Sequence, residues 1–497
     1  CATRDAQAYV ILQASRNKAD AAESPSRRGE IRMRFLAFIR RIIRTAWFNR
    51  TLAAGAILLW TAFAAGLMHS AWSAFTSFKF SLFDYGIYTN TVWNCGHGRL
   101  FTVLHNTSYL KTHLSFSLAL LGPFFRAWDH PFLMSVIQWC FITGGAAILV
   151  IAVIKQKTPA APALALAVFY SGYFFTQTVH LCEFHGVSAY MFVFPWLYYC
   201  LALRKNFAWM PLAILLGIRE DAFIFAMPVL LYFAVKEKNR MVWAMFCATL
   251  LYGILAVFVI YPAINDKSLF ARREEMLPDN IFKSLIGSRE QLTDKLKAFA
   301  WTILPAIPFL RRGRIVIPAF VAVPLFVSFD SAFEPQYSLK LHYSALIMAC
   351  LGIALAETFV KGKYPRKARK KPAGPIGAVA LILITCAMHL DRGYLRKGGK
   401  HKACYAQPNP AGIAVLKAAR RLPREGILLA KRSLMPFCAN RADIRKWKYF
   451  TRNHDMFDVV FASTEDLENE QGFRNLLNTG EFKVLTLGPD HVCLVRK

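Results

Sequence analysis

Asp84 lies in Phe83-Asp84-Tyr85-Gly86, about fifteen residues beyond the first long apolar segment. A carboxylate held just outside a membrane crossing can serve as a general base at the membrane surface. His97, His105 and His113 follow it, then His180, Glu183 and His185, then Arg219-Glu220-Asp221, then His342. Long apolar runs separate these clusters, so threading the chain through a bilayer can bring all of them to one side. That is the pattern of a membrane-embedded active site. Ionisable groups at such places cost roughly 2.5 kcal/mol or more each on insertion scales, so Asp84, Glu183 and Glu220 or Asp221 need water, partners or a substrate. Taken singly, each has a structural reading. Asp84 is then an ordinary loop acid, Arg219-Glu220-Asp221 an internal ion-pair set, and His180, His185 and His342 satisfied residues at helix ends. Their joint placement on one face favours a functional outer cavity. His180-x-x-Glu183-x-His185 also offers three possible ligands for a divalent metal, at a spacing unusual for zinc. No Gly-x-x-x-x-Gly-Lys or Gly-x-Gly-x-x-Gly is present, so a soluble nucleotide is not indicated.

The positions of these residues depend on the elements between them. Of 497 residues 55% are hydrophobic and 14% aromatic, which argues against an ordinary soluble protein of this length. Several windows of about 20 residues are almost free of charge, long enough to cross roughly 30 Å of hydrocarbon as helix. Continuous apolar runs favour helices over barrel strands. The net charge of +31 does not signal nucleic acid. The basic residues sit mainly in short loops between spans, where cytoplasmic loops carry them, and no nucleic-acid motif accompanies them.

The expected threading begins with a polar, basic cytoplasmic segment, 1–50. Residues 1–32 read as disordered or as upstream reading frame, and Met33, with Arg34, Arg40, Arg41, Arg44 and Arg50 after it, as a natural start. The membrane domain is expected over 51–392, with spans at 53–69, 132–154, 160–178, 187–203, 241–263, 298–310, 315–329, 341–360 and 376–391. An outer loop fills 70–131, with a short re-entrant or interfacial segment at 114–128. Residues 209–235 read as a hairpin of two short helices with Arg219-Glu220-Asp221 at its apex. About eleven crossings result. Arg311, Arg312, Arg314 and the basic run at 361–371 fall on the cytoplasmic side. This makes an all-α polytopic membrane protein with a cytoplasmic N-terminus, set in what reads as a bacterial inner membrane.

Residues 393–497 differ in pattern. Helices are expected at 411–421 and 464–479, and strands at 426–430, 457–463, 482–487 and 491–495. Alternating helix and strand predict a small α/β domain outside the membrane. Cys404, Cys438 and Cys493 share it, in a compartment that permits a disulfide of unspecified pairing.

Several motifs together resemble a known family. They are Phe83-Asp84-Tyr85-Gly86, Val92-Trp93-Asn94, His97-Gly98, His113-x-Ser115, Glu183-Phe184-His185, Arg219-Glu220-Asp221, His342-Tyr343 and Phe457-Asp458-Val459-Val460. The sequence resembles the membrane proteins of domain of unknown function 2079 from about residue 50 to its end. Gly186 stands where that family more often has Pro, and Arg219 where it often has Lys. The family is similar in turn to the GT-C membrane glycosyltransferases. The resemblance implies transfer of a sugar from a polyprenyl-phosphate carrier to an unknown acceptor on the outer face. It implies Asp84 as the base that takes the acceptor proton. Arg219, with His113 or His185, would hold the carrier phosphate, and Glu183 and Asp221 would order sugar hydroxyls or the basic groups. The alternatives are a transporter or flippase for a lipid-linked or polar substrate, and a non-catalytic membrane assembly protein.

Overall fold

The structure is a computed structural model that describes residues 46–265, 286–310, 315–360, 374–394, 403–446, 457–465, 471–488 and 490–497. The expectations for residues 1–32, Met33, Arg34, Arg40, Arg41, Arg44, Arg311, Arg312, Arg314 and the run at 361–371 lie outside these residues. Five described helices are long and apolar enough to cross a membrane: Ala46–Thr76, Leu133–Lys155, Arg240–Asn265, Glu334–Phe359 and Pro375–Arg392. Shorter apolar helices stand beside them, at Ala160–Gly172, Gly186–Ala202, Asn206–Leu216 and Val316–Phe329. Glu334–Phe359 is central, with 72% of its apolar window buried, whereas Pro375–Arg392 buries 17% and turns most of its apolar surface outward. Outward apolar surface on this scale suits lipid rather than water.

The first helix continues to Thr76, beyond the expected end at residue 69. Ser70, Ser73 and Thr76 are buried there. The hydroxyls of Ser73 and Thr76 donate to carbonyls a turn back, so polar residues extend the helix rather than ending it. The segment expected as a span at 298–310 instead starts as a helix at Arg289 and gives way to a tight 3-10 turn at Leu304–Phe309. Ser288 and Gln291 form a reciprocal capping box at its start. Pro305 and Pro308 remove the amides that an α-helix would need in the tight turn.

Leu133–Lys155 packs closely on Tyr190–Ala202. A Cβ on Gly145 would lie 1.8 Å from the Met191 carbonyl oxygen, so only glycine fits that crossing. Tyr170 donates to the same carbonyl at 2.8 Å. The helices Trp209–Leu216 and Ala222–Glu237 form the expected short pair, with 217–221 as the turn between them.

The segment between the first two long helices is built from short pieces. A π-helical turn, Leu82–Gly86, leads into the helix Ile87–Gly96. A two-residue hairpin follows, β1 Thr102–Val103 paired with β2 Thr107–Ser108. Then come the 3-10 stretch Phe116–Leu121 and the helix Gly122–Ala127. Gly96 and Gly122 meet backbone to backbone, and a Cβ on Gly96 would stand 2.4 Å from the Gly122 oxygen.

The C-terminal residues form a five-stranded sheet in the order β4-β3-β5-β7-β6. Its strands are β3 Leu428–Ala430, β4 Ile444–Lys446, β5 Val459–Ser463, β6 Phe482–Thr486 and β7 His491–Arg496. β3 is parallel to β4 and β5, and β7 is antiparallel to β5 and β6. Strand β4 was not expected, because Ile444-Arg445-Lys446 carries too much charge to read as a strand. The helices Pro410–Ala419 and Gln471–Asn478 flank the sheet strands in sequence. One apolar cluster joins this region to the segment between the first two long helices and to the end of the first helix. It includes Phe75, Tyr85, Phe132, Leu416, Leu428 and Phe437. Asn90 reinforces the seam, donating to the carbonyls of Ala439 at 3.2 Å and Arg441 at 2.7 Å. Among the described residues every cysteine is free, including Cys404, Cys438 and Cys493.

Candidate functional site

The Leu82–Gly86 turn sets Asp84 just beyond the C-terminal end of the first helix, and a buried carboxylate braces it. Glu183 Oε2 accepts from the Ser81 amide at 2.6 Å and the Tyr85 amide at 3.4 Å, and Oε1 accepts from the Ser81 hydroxyl at 3.2 Å. Glu183 holds φ of 99°, a region that non-glycine residues rarely occupy. Strain of this kind persists where surrounding contacts over-determine it, and it concentrates at functional sites. Gln138 supplies those contacts from the middle of an apolar helix. Its amide donates to the carbonyls of Val179 at 2.9 Å, His180 at 3.2 Å and Glu183 at 3.2 Å, and its oxygen accepts from the His185 amide at 3.1 Å.

The loop held by Gln138 presents His185 to Asp84. His185 Nε2 stands 3.9 Å from Asp84 Oδ1, and Nδ1 lies 3.4 Å from the Tyr88 hydroxyl. With Tyr88 donating to Nδ1, the Nε2–H faces the carboxylate. His342 stacks on His185, the ring centroids 3.5 Å apart and 13° from parallel. Burial keeps His185 well below the ordinary imidazole range, and the neighbouring His342, His113 and Arg219 push the same way. Burial raises the Asp84 carboxyl, against the lowering effect of Arg432. Its side chain is nevertheless 42% exposed, so it stays open to a reactant. Burial drives the Glu183 carboxyl up to about 8, although the Ser81 amide favours its charged form.

The second half of the site is the turn between the two short helices. His113 Nδ1 donates to Glu220 Oε1 at 2.9 Å, and the Leu114 amide donates to Oε2 at 3.1 Å. Ser117 locks the same loop to the turn, its amide donating to the Gly217 carbonyl at 2.8 Å and its hydroxyl to Ile214 at 2.6 Å. Arg219 Nε lies 3.4 Å from Asp221 Oδ2 and 3.6 Å from Glu220 Oε1, and this atom is buried with no hydrogen-bond acceptor among the described residues, while the rest of the side chain is partly exposed. Burial pushes the Tyr88 phenol up to about 12, with Asp84 adding to the rise and Arg219 opposing it.

Other candidates have different surroundings. His97 is exposed, stacks on Trp93 at 3.8 Å and donates to the Trp93 carbonyl at 2.8 Å. His105 sits in the single turn Leu104–Asn106, and its side chain lies outside the described residues. His180 is fully buried within the helix Phe174–Leu181, away from the Asp84 and Arg219 turns in sequence. His180, Glu183 and His185 do not gather as ligands, and among the described residues no three His, Cys, Asp or Glu side chains are grouped to hold a metal. The physical reason is that Glu183 turns to the Ser81 and Tyr85 amides while His185 turns to Tyr88 and Asp84. Sequence reasoning missed Ser81, Tyr88 and Gln138. Gln138 had a usable signal, a polar amide inside an otherwise apolar span.

A partly open apolar cavity adjoins the cluster, lined by Ser117, Phe184, Gly186, Trp196, Ile214 and Ile218 among others. Its wall shares backbone with the polar site, because Phe184 and Gly186 flank His185 and Ile218 precedes Arg219.

A family model described as predicted membrane protein (DUF2079) matches residues 74–486. The chain belongs to this family. The match spans the Asp84 turn, the Glu183–His185 loop, the Arg219 turn and most of the C-terminal sheet of this DUF2079 protein. No curated protein matches it in sequence. Two solved structures resemble it at 10% identity, both of ArnT from Cupriavidus metallidurans. The form bound to undecaprenyl phosphate gives a TM-score of 0.48, covering 88% of this chain and 98% of that one. The apo form gives 0.44, covering 89% and 98%.

Burying the Glu183 carboxyl has a consequence for stability. Its folded value of about 8 lies above the ordinary 4.5. Between those values the folded state keeps a proton that the unfolded chain has released, so stability should fall as pH rises across that window. Glu183→Gln should flatten this slope. Melting temperatures in detergent at about pH 5 and about pH 9 check it, and an unchanged slope in the variant would contradict the assignment.

Proposed function

We propose that this protein transfers a sugar from a polyprenyl-phosphate carrier to an acceptor at the outer face of a bacterial inner membrane. The observation that carries the reading is the junction of a polar site with an apolar cavity. His185 and Arg219 are chain neighbours of residues that line a cavity without charged lining, His342 stacks on His185, and His113 pairs with Glu220 next to Arg219. A carrier with an anionic head and an apolar tail needs that combination.

In this reading the carrier phosphate lies against Arg219, whose Nε has no hydrogen-bond acceptor among the described residues. A guanidinium presents a planar fork to phosphate oxygens and offsets the charge that builds on the leaving group. The bond between the sugar and the phosphate oxygen breaks, and a bond from the sugar to the acceptor oxygen forms. Asp84 takes the acceptor proton, its basicity raised by burial, while His185 and Tyr88 fix its orientation. Glu183 and Gln138 position these groups rather than touching the reactants. The residues at 393–497 form an outer domain.

The direct assay is covalent sugar transfer from a polyprenyl-phosphate donor in membranes. Movement of the intact donor across the bilayer with no sugar–phosphate cleavage would favour a transporter instead. The orientation has its own check. Alkaline phosphatase fused after Lys497 should be active in bacterial cells, and a fusion after Lys371 inactive. The reverse pattern would place the site on the cytoplasmic face.

A further inference from the structure

The C-terminal sheet reverses direction at β3. The chain leaves β3 for β4 on one side and returns on the other side as β5, with both neighbours parallel to β3. In open sheets a reversal of this kind leaves a crevice outside the carboxyl ends of the strands, where ligands bind. Lys431, Arg432 and Ser433 follow β3 at that edge, and Arg432 and Ser433 are exposed.

The turn beyond them is fixed in place. The Lys431 carbonyl accepts from the Leu434 amide at 3.0 Å and the Met435 amide at 3.1 Å. The single turn Met435–Phe437 then packs on the Leu82–Gly86 turn that carries Asp84. The Phe437 ring lies 4.6 Å from Phe75 and 5.3 Å from Phe78. The carboxyl edge of the sheet is thereby tied to the reactive carboxylate, and the charge of Arg432 acts on Asp84.

We propose that Arg432, at the carboxyl end of β3, binds an anionic group of the acceptor and sets the acceptor hydroxyl before Asp84. The acceptor is then a molecule bearing phosphate or carboxylate oxygens. This rests on the transferase reading, and it assigns the two substrates to two cations. Arg219 takes the lipid phosphate beside the apolar cavity, and Arg432 takes a water-soluble anion at the sheet edge.

The test uses the full chain in maltoside micelles and two calorimetric titrations, with inorganic phosphate and with dodecyl phosphate. Arg432→Ala should weaken one of the inorganic phosphate binding steps about tenfold and leave dodecyl phosphate affinity within about twofold. Arg432→Lys, which keeps the charge, should retain most of that step. A melting temperature matching the parent shows that Arg432→Ala is folded. Unchanged inorganic phosphate binding in Arg432→Ala would overturn the proposal. So would an equal loss for both probes, because Arg432 would then belong to the carrier site. If Arg219→Ala leaves dodecyl phosphate binding intact, the carrier assignment fails by itself, whatever Arg432 does.

Discussion

Replacing Asp84 by Asn should lower the turnover of sugar transfer by about 10² to 10⁴, the usual contribution of a general base. The change keeps the size of the side chain and a hydrogen-bonding oxygen facing His185 Nε2, now 3.9 Å away. It removes only the ability to accept the acceptor proton. Glu183 should still brace the Leu82–Gly86 turn, because its partners are the Ser81 and Tyr85 amides and the Ser81 hydroxyl. Folding and carrier binding should therefore persist. The measurement is the initial transfer rate at saturating carrier, beside a carrier titration. Near-normal transfer by Asp84→Asn would remove Asp84 from the chemistry.

Arg219→Ala should act on the other half of the site. Losing a charged hydrogen-bonding partner should weaken carrier binding about tenfold to a hundredfold. The variant also leaves Glu220 and Asp221 buried without their cation, and breaking such a buried pair costs about 3–5 kcal/mol. A drop in melting temperature is thus expected beside the binding defect. Arg219→Lys separates the two effects. It keeps the charge and the fold but loses the planar fork, so binding should fall between those of the parent and Arg219→Ala. Dodecyl phosphate titration reads all three proteins. Equal affinity across them would show that the carrier phosphate binds elsewhere.

Asp84 and Arg219 stand out in the sequence because membrane proteins place few ionisable groups near apolar runs. The short pair of helices around Arg219 was legible for a related reason, since neither apolar run is long enough to span alone. Strand and helix patterns also located most of the C-terminal sheet. The partners of the site residues were much less visible. Glu183 bonds to amides about a hundred residues away, and no local pattern announces a backbone donor. Tyr88 looked like one aromatic among many until its hydroxyl met His185. Arg432 is one of many cations in a basic chain, and nothing local marks it; it precedes the turn Met435–Phe437, which packs on Leu82–Gly86. His180, Glu183 and His185 were three possible metal ligands by residue type, at a spacing unusual for zinc. The left-handed backbone at Glu183 instead sends these side chains to different neighbours.

The most direct measurement is an experimental structure of the protein with a polyprenyl phosphate bound. The account predicts phosphate density within hydrogen-bonding reach of Arg219, on the side facing Asp84. The isoprenoid tail should enter the cavity bounded by Phe184, Gly186, Trp196 and Ile214. Phosphate density at the opposite face, or so far from Asp84 that one sugar cannot bridge the gap, would contradict it.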